Sequence, residues 1–386
     1  MRRQAQFRLL VVRLGAMGDI LHALPAVTAL RKAHPAWRID WAVDPRWRPL
    51  LTSEPENPPF APGEGELTDR SETRPVVDWI HPVPAKNWGK TPFQRQTLAE
   101  IRGLRADLRA CEYDAVLDLQ GSIRSAVVAR LSGCRRIVGE LRPRETPAKW
   151  LFTERVETTG RHVIEQDMEL AGALAGDLLE STAPALPLDA EAEDWCGRLP
   201  ELKEALWRGK PVILLHPGGG WGAKRWPPDR YGALAEEFAR RGAVVLVNAG
   251  PGEEALAVDV LAAANDHALV VACSLPQLIA LSRRVSLVIG GDTGPLHLAC
   301  ALGRPVVGIY GPTDPDRNGP YGGRFRVLRN PESRQDHTRR VQPEAGLLTI
   351  LPRDVMAAAV DLMMEEREAR QRQAQSTGDR PVWDAR

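Results

Sequence analysis

The sequence predicts an α/β protein built from two doubly wound, parallel-sheet halves. Three observations carry that expectation. An apolar run near the start breaks into a glycine-containing loop and then a helix. The same strand–loop–helix pattern recurs through the second half. The length, 386 residues, exceeds one ordinary hydrophobic core, so two domains are expected.

Leu9-Leu10-Val11-Val12 reads as a buried parallel strand, because such strands are covered on both faces and need no alternation. A loop from Arg13 to Gly18 follows, then Ile20, Leu21, Leu24, Val27 and Leu30 recur at helical spacing. Trp37 to Val43 reads as the next strand, which completes a β-loop-α-β unit. Residues 52–75 are rich in Pro, Glu, Gly and Ser and read as a mobile surface loop. A strand over Val76–Ile80, a helix over Pro92–Ala110, a strand over Ala115–Leu119 and a helix after Gly121 are expected next. Glu180 to Asp189, with Pro184 and Pro187, reads as a linker. The domains then run 1–183 and 184–355, with a last helix and a polar tail over 356–386.

In the second half, Val212–Leu215, Ala243–Val247, Ala268–Val271, Leu287–Ile289 and Val306–Ile309 read as strands. Helices are expected at 228–241, 253–264, 275–283, 293–302 and 352–370, and the remaining tail as disordered. Two halves of this kind suggest a ligand cleft between domains.

Composition fits a soluble globular protein, with 43% apolar and 26% charged residues. Lysine plus arginine (51) almost cancels aspartate plus glutamate (50), so bulk charge gives no reason to expect nucleic acid. The five cysteines form no C-x-x-C, and none shares zinc-site spacing with a histidine. The apolar run after Phe7 is about five residues, short of the roughly 7–15 of a secretory signal and the roughly 20 of a membrane span. A cytoplasmic protein is expected, with membrane-surface contact left open.

Four places carry candidate chemistry. The first is Arg13-Leu14-Gly15-Ala16-Met17-Gly18-Asp19, at a strand end where open α/β sheets bind ligands. Gly15 and Gly18 permit tight turns, and Asp19 is placed at a helix N-terminus, where it is either a functional acid or an N-cap. G-x-x-G-D is not the dinucleotide fingerprint G-x-G-x-x-G. The second is His216-Pro217-Gly218-Gly219-Gly220 followed by Lys224-Arg225-Trp226-Pro227, where loop amides and a lysine suit a phosphate, or form a solvated βα loop. The third is Gly290-Gly291-Asp292-Thr293-Gly294-Pro295-Leu296-His297. Thr293 and Gly294 offer amides to an anion, Asp292 suits sugar hydroxyls, and His297 reads equally as a core histidine. The fourth is Gly250-Pro251-Gly252-Glu253-Glu254, either a ribose-binding acid or an acidic first helical turn.

Together these stretches resemble glycosyltransferase family 9, the ADP-heptose:lipopolysaccharide heptosyltransferases. The resemblance rests on R-L-G-A-M-G-D-I-L-H-A-L-P-A near the start, D-L-Q-G-S-I-R-S-A at 118–126, H-P-G-G-G with K-R-W-P at 216–227, G-D-T-G-P-L-H-L-A at 291–299 and Y-G-P-T-D-P at 310–315. The form M-G-D-I-L-H-A-L-P is similar to heptosyltransferase I.

This likeness implies a GT-B fold, two Rossmann-like domains facing a central cleft, and an inverting glycosyltransferase that needs no metal and no cofactor. ADP-heptose is then the donor and the Kdo–lipid A inner core the acceptor, met by a monomer at the inner face of the inner membrane. Asp19 matches the catalytic base. Gly219, Lys224, Glu253, Asp292, Thr293, Gly294 and His297 match the donor site, with Lys224, Thr293 and Gly294 on the diphosphate and Asp292 on the heptose. Lys86, Lys90, Arg124 and Arg144, joined by Arg142 and Trp88, are expected to form one cationic acceptor patch. In the stretch Val83 to Lys90, Asn87 and Gly89 stand where the family pattern has arginines. The rival readings are a family 9 transferase using another nucleotide sugar, and a non-transferring nucleotide-sugar protein of the same fold.

Overall fold

Leu9, Leu10, Val11 and Val12 are wholly buried in β1 (Arg8–Val12), the interior strand from which the first sheet is built. The computed structural model describes residues 6–58, 70–336 and 338–377. Residues 59–69 of the expected 52–75 loop, and the tail beyond 377, lie outside the described residues. The chain divides into two compact units, Met1–Ala190 and Glu191–Arg386.

In the first unit, β1 leads into α1 (Met17–Ala33), β2 (Arg38–Val43), β3 (Trp79–Pro82), α2 (Ala85–Trp88), α3 (Arg95–Ala110), β4 (Ala115–Asp118), α4 (Ile123–Leu131), β5 (Ile137–Glu140), β6 (Glu154–Val156) and α5 (Val163–Ala175). All six strands are parallel, in the order β3-β2-β1-β4-β5-β6. The order reverses between β1 and β4, which makes their carboxyl ends the switch point where such sheets take ligands.

The second unit opens with α6 (Ala190–Gly197) and α7 (Pro200–Trp207), then β7 (Val212–His216), α8 (Pro228–Arg240), β8 (Val244–Val247), α9 (Glu254–Ala263), β9 (Leu269–Val270) and α10 (Leu275–Ser282). It continues with β10 (Leu287–Gly291), α11 (Gly294–Ala301), β11 (Val306–Tyr310), α12 (Pro315–Asn318), β12 (Phe325–Arg329) and α13 (Pro352–Thr377). The order β12-β11-β10-β7-β8-β9 is the first sheet's order read from the other side. Its switch point lies between β7 and β10. Val355, Met356, Ala359 and Leu362 of α13 enter this unit's core beside Tyr231, Leu234 and Phe238 of α8.

Several boundaries differ from the sequence reading. The strand expected over Val76–Ile80 runs instead over Trp79–Pro82, because the preceding backbone is used by α1: Arg31 Nε donates to the Val76 carbonyl at 2.9 Å. The helix expected from Pro92 starts at Arg95, and a separate short helix, α2, precedes it. β5, β6, β12 and α5 were not anticipated. The first three are only three to five residues long, too short to show a period. α13 continues to Thr377, past the expected end at 370. Gly18 makes no tight turn, since it lies in the first turn of α1.

A buried polar network also crosses the first sheet. The Tyr113 hydroxyl donates to Asp40 at 2.7 Å and sits 2.7 Å from His81 Nε2, while Arg38 Nε reaches both Asp40 oxygens at 3.1 Å. Cys111, His81 and Asp40 are thus brought together although the sequence separates them. Arg38 and Tyr113 already occupy the Asp40 carboxylate, so the cluster reads as a satisfied structural network.

Candidate active site

In the first unit the site grows from the ends of β1, β4 and β5. Gly15 has φ +147°, and a Cβ there would lie 2.8 Å from the Trp47 indole nitrogen, so glycine is required. The turn starts α1 at Ala16, which places Asp19 at the third helical position rather than at the N-cap. Its Oδ2 accepts from the Ala16 amide at 2.8 Å, and Arg13 Nη2 lies 3.5 Å from its Oδ1. Asp19 stays one-third exposed while Arg13 is buried. Asp118, at the end of β4, takes the Gln120 and Gly121 amides at 2.9 and 2.8 Å on Oδ1. Burial pushes its carboxyl up to about 6.

The second unit's site lies at the ends of β7, β8 and β10. His216 closes β7 and is held neutral, because burial pushes it down to about 4. Above it runs the glycine loop. The Gly219 amide donates to Glu253 Oε1 at 3.0 Å, and Arg225 Nη2 reaches the same oxygen at 2.7 Å. A side chain at Gly218 would collide with the Glu253 carboxylate, so glycine lets that acid enter the loop. Of the two adjacent acids, Glu253 faces the loop, whereas the exposed Glu254 accepts from the Gly252 amide at 2.9 Å.

Lys224 lies in a short 3-10 turn and pairs through Nζ with Asp292 Oδ2. Its ammonium also sits 4.4 Å from the Trp221 ring centroid. The other Asp292 oxygen is 3.0 Å from His297 Nε2. Burial alone would raise the Asp292 carboxyl, but His297 and Lys224 outweigh it and hold it well below the usual range. Thr293 is the N-cap of α11, and its side chain makes no capping hydrogen bond to the helix. Glu253 thus takes the Gly219 amide and Arg225, and Asp292 takes Lys224 and His297.

The expected acceptor cations follow different strands of the first sheet. Lys86 and Lys90 line a pocket with Asp44, Arg46 and Asn87, beyond edge strand β3. Arg124 follows β4, while Arg142 and Arg144 follow β5, and all three are exposed. β3 and β5 are four strand spacings apart, roughly 19 Å. Arg142 is paired with Glu157 at 2.7 Å. Trp88 is half-buried and bonded to Glu100 at 2.7 Å, so it is not the group's exposed aromatic. Trp150, two-thirds exposed, and Phe93 are exposed aromatics of the same unit.

Sequence reasoning left four residues unassigned: Arg13, Asp118, Asp167 and Arg225. Arg13, Asp118 and Arg225 stand inside or at the edge of quoted motifs and could have been found there. Asp167 belongs to no motif, and only the packing of α5 on α1 brings it near.

The family profile "Glycosyltransferase family 9 (heptosyltransferase)" matches residues 101–348. Lipopolysaccharide heptosyltransferase 1 of Pseudomonas aeruginosa is 30% identical over 320 residues, covering 82% of this chain and 81% of that one. The protein of the same name from Escherichia coli K12 is 29% identical over 328 residues, 84% of this chain and 94% of its own. Among solved structures, E. coli heptosyltransferase WaaC with ADP-2-deoxy-2-fluoro heptose superposes with a TM-score of 0.69 at 25% identity, covering 94% of this chain and all (100%) of that one. E. coli ADP-heptose lps heptosyltransferase II superposes at 0.71 with 22% identity, a likeness of fold alone, covering 94% and 100%. The two parallel six-stranded sheets, the switch-point sites and these likenesses agree: the chain has the GT-B fold and belongs to glycosyltransferase family 9, the heptosyltransferases.

Proposed function

We propose that this enzyme transfers heptose from ADP-heptose to the Kdo–lipid A inner core of lipopolysaccharide, with inversion and without a metal. The observation that carries the reading is the Lys224–Asp292–His297 constellation beside the first turn of α11. A donor diphosphate competes with Asp292 for Lys224 and takes the Thr293 and Gly294 amides, which neutralise charge building on the leaving ADP. Asp292, released from Lys224 and still held by His297, then accepts from a heptose hydroxyl. Glu253 serves the ribose, held in place by Arg225 and the Gly219 amide.

Asp19 is the base that takes the proton of the acceptor hydroxyl, on the face opposite the leaving group. Its partial exposure and its anchoring to the Ala16 amide support that role. No helix among the described residues is long and apolar enough to cross a membrane. Contact with an anionic membrane surface is supported by Ile123, Val127 and Trp150, all exposed, beside Arg124 and Lys149. In this reading the enzyme works as a monomer at the cytoplasmic face of the inner membrane.

The test is turnover by purified enzyme with Kdo–lipid A and a panel of nucleotide sugars. ADP-heptose is expected to be consumed only when acceptor is present. Preference for another donor would move the enzyme to a different transfer, and donor conversion without acceptor would favour a non-transferring protein.

A further inference from the structure

The carboxyl ends of β1, β4 and β5 gather one cation and four carboxyl groups. Arg13 is 6% exposed, and its Nε has no hydrogen-bond partner among the described residues. Asp118 is 1% exposed and Asp167 2%, and each has an Oδ2 without a partner. Asp118 has donors on its other oxygen from two amides and from the Ser125 hydroxyl at 3.1 Å. Glu140, ending β5, accepts from Thr158 Oγ1 at 3.0 Å. Asp167 extends from α5, which packs on α1, β4 and β5. The charged groups around it are Arg13 from β1, Asp19 from α1, Asp118 from β4 and Glu140 from β5. His22 of α1 meets His162, the N-cap of α5, edge-on at 5.5 Å.

One buried guanidinium faces two buried carboxyls, Asp118 and Asp167, as well as the part-exposed Asp19 and Glu140, and an uncompensated buried charge is strongly disfavoured. At least one acid keeps its proton, and the acid with an unmet oxygen and no backbone amide on it is the natural holder. We propose that Asp167 is a positioning residue for Asp19, acting through Arg13. A neutral Asp167 leaves the guanidinium to Asp19, and an ionised Asp167 shares it. This rests on the reading of Asp19 as the base.

When Asp167 ionises, Arg13 has a second carboxylate to balance and a new negative charge faces Asp19. Both effects make Asp19 the stronger base. Burial, reinforced by Asp19, Glu140 and Asp118 and opposed by Arg13, pushes Asp167 up to about 7, which puts the exchange in the neutral range.

The test is the pH profile of kcat between pH 5.5 and 9 at saturating substrates, in wild type and in Asp167→Asn. Wild type is expected to rise through neutral pH. Asp167→Asn, fixed neutral, is expected to keep turnover but lose the rise, falling roughly tenfold behind at alkaline pH with donor KM unchanged. Superimposable profiles overturn the proposal. Infrared titration gives a readout independent of turnover and of whether Asp167→Asn folds. A protonated-carboxyl band that disappears near neutral pH is expected in wild type, in Asp19→Asn and in Asp118→Asn, which removes the other carboxyl that burial raises, and its absence from Asp118→Asn overturns the proposal. If Asp19→Asn keeps normal turnover while the band persists, the base assignment fails and the buried titration of Asp167 stands.

Discussion

His297 Nε2 lies 3.0 Å from Asp292 Oδ1 while Lys224 holds the opposite oxygen. An ionised carboxylate only accepts, so His297 is the donor and its proton sits on Nε2. In the proposed site the two partners therefore differ in function. Lys224 is the one a diphosphate can draw away, and His297 is the one that keeps Asp292 aimed. Lys224→Ala is expected to weaken ADP binding by about 1.5–3 kcal/mol. His297→Ala is expected to spare ADP binding but to reduce kcat with ADP-heptose. Calorimetry with ADP and steady-state kinetics separate the two, and equal ADP affinity in Lys224→Ala and wild type would remove Lys224 from the site.

Asp19→Asn tests the base. Asparagine keeps an oxygen for the Ala16 amide, so α1 should start unchanged. Turnover is expected to fall by roughly 10²–10⁴, with donor affinity preserved. Near-normal turnover in a folded variant would end the assignment.

A metal requirement has its own measurement. The Asp314-Pro315-Asp316 stretch is the chain's Asp-x-Asp, and Asp314 Oδ1 there accepts from the Asp316 amide at 3.0 Å, capping α12. Turnover is expected to persist in excess EDTA. Loss that Mg²⁺ or Mn²⁺ restores would place a cation in the reaction.

The proposed acceptor cations follow different strands, Lys86 and Lys90 after β3 and Arg124 and Arg144 after β4 and β5. Acceptor KM is expected to rise with salt, because exposed charges are screened over about 8 Å at physiological ionic strength. Lys86→Ala/Lys90→Ala and Arg124→Ala/Arg144→Ala should each remove part of that salt dependence, and the two pairs should combine additively in log KM at this separation. An acceptor KM that neither salt nor either pair moves would exclude these residues from acceptor recognition.

His216 links stability to pH. Burial holds it neutral down to about 4, while an unfolded histidine takes a proton near 6.5. Between those values the unfolded chain binds more protons, so this group's contribution is lost as pH falls. Relative to His216→Gln, wild type should lose about 2 kcal/mol of unfolding free energy between pH 7 and 4.5. Denaturant titrations at the two pH values measure it, and parallel losses in both proteins would refute the account.

Much of this was readable in the residues because it is local. A strand that runs into G-A-M-G-D or H-P-G-G-G declares both its element and its loop, and the Asp292–His297 spacing puts both on one helix start. What escaped notice depends on chain brought in from elsewhere. β5, β6 and β12 are short strands completed by their neighbours. Arg225 reads as a loop charge until Glu253, 28 residues on, is folded against it. Asp167 reads as one more helix acid until α5 buries it. The expected acceptor cations are of the same kind: Lys86 and Arg124 lie in helices, Lys90 in a turn and Arg144 in a bend, and only strand order says how far apart those segments start.

That strand order has a consequence for how such an enzyme can diverge. In each sheet the residues assigned to bond making leave from the central pair of strands, β1 with β4 and β7 with β10, whose packing is fixed on both sides. Lys86 and Lys90 follow the border strand β3, whose outer backbone edge at Ile80 is met by the Asn57 side chain at 2.8 and 3.2 Å rather than by another strand. In the proposed reading, loop exchange at the border would alter Lys86 and Lys90 without disturbing the reaction centre, whereas Arg124, which follows central strand β4, would be tied to it.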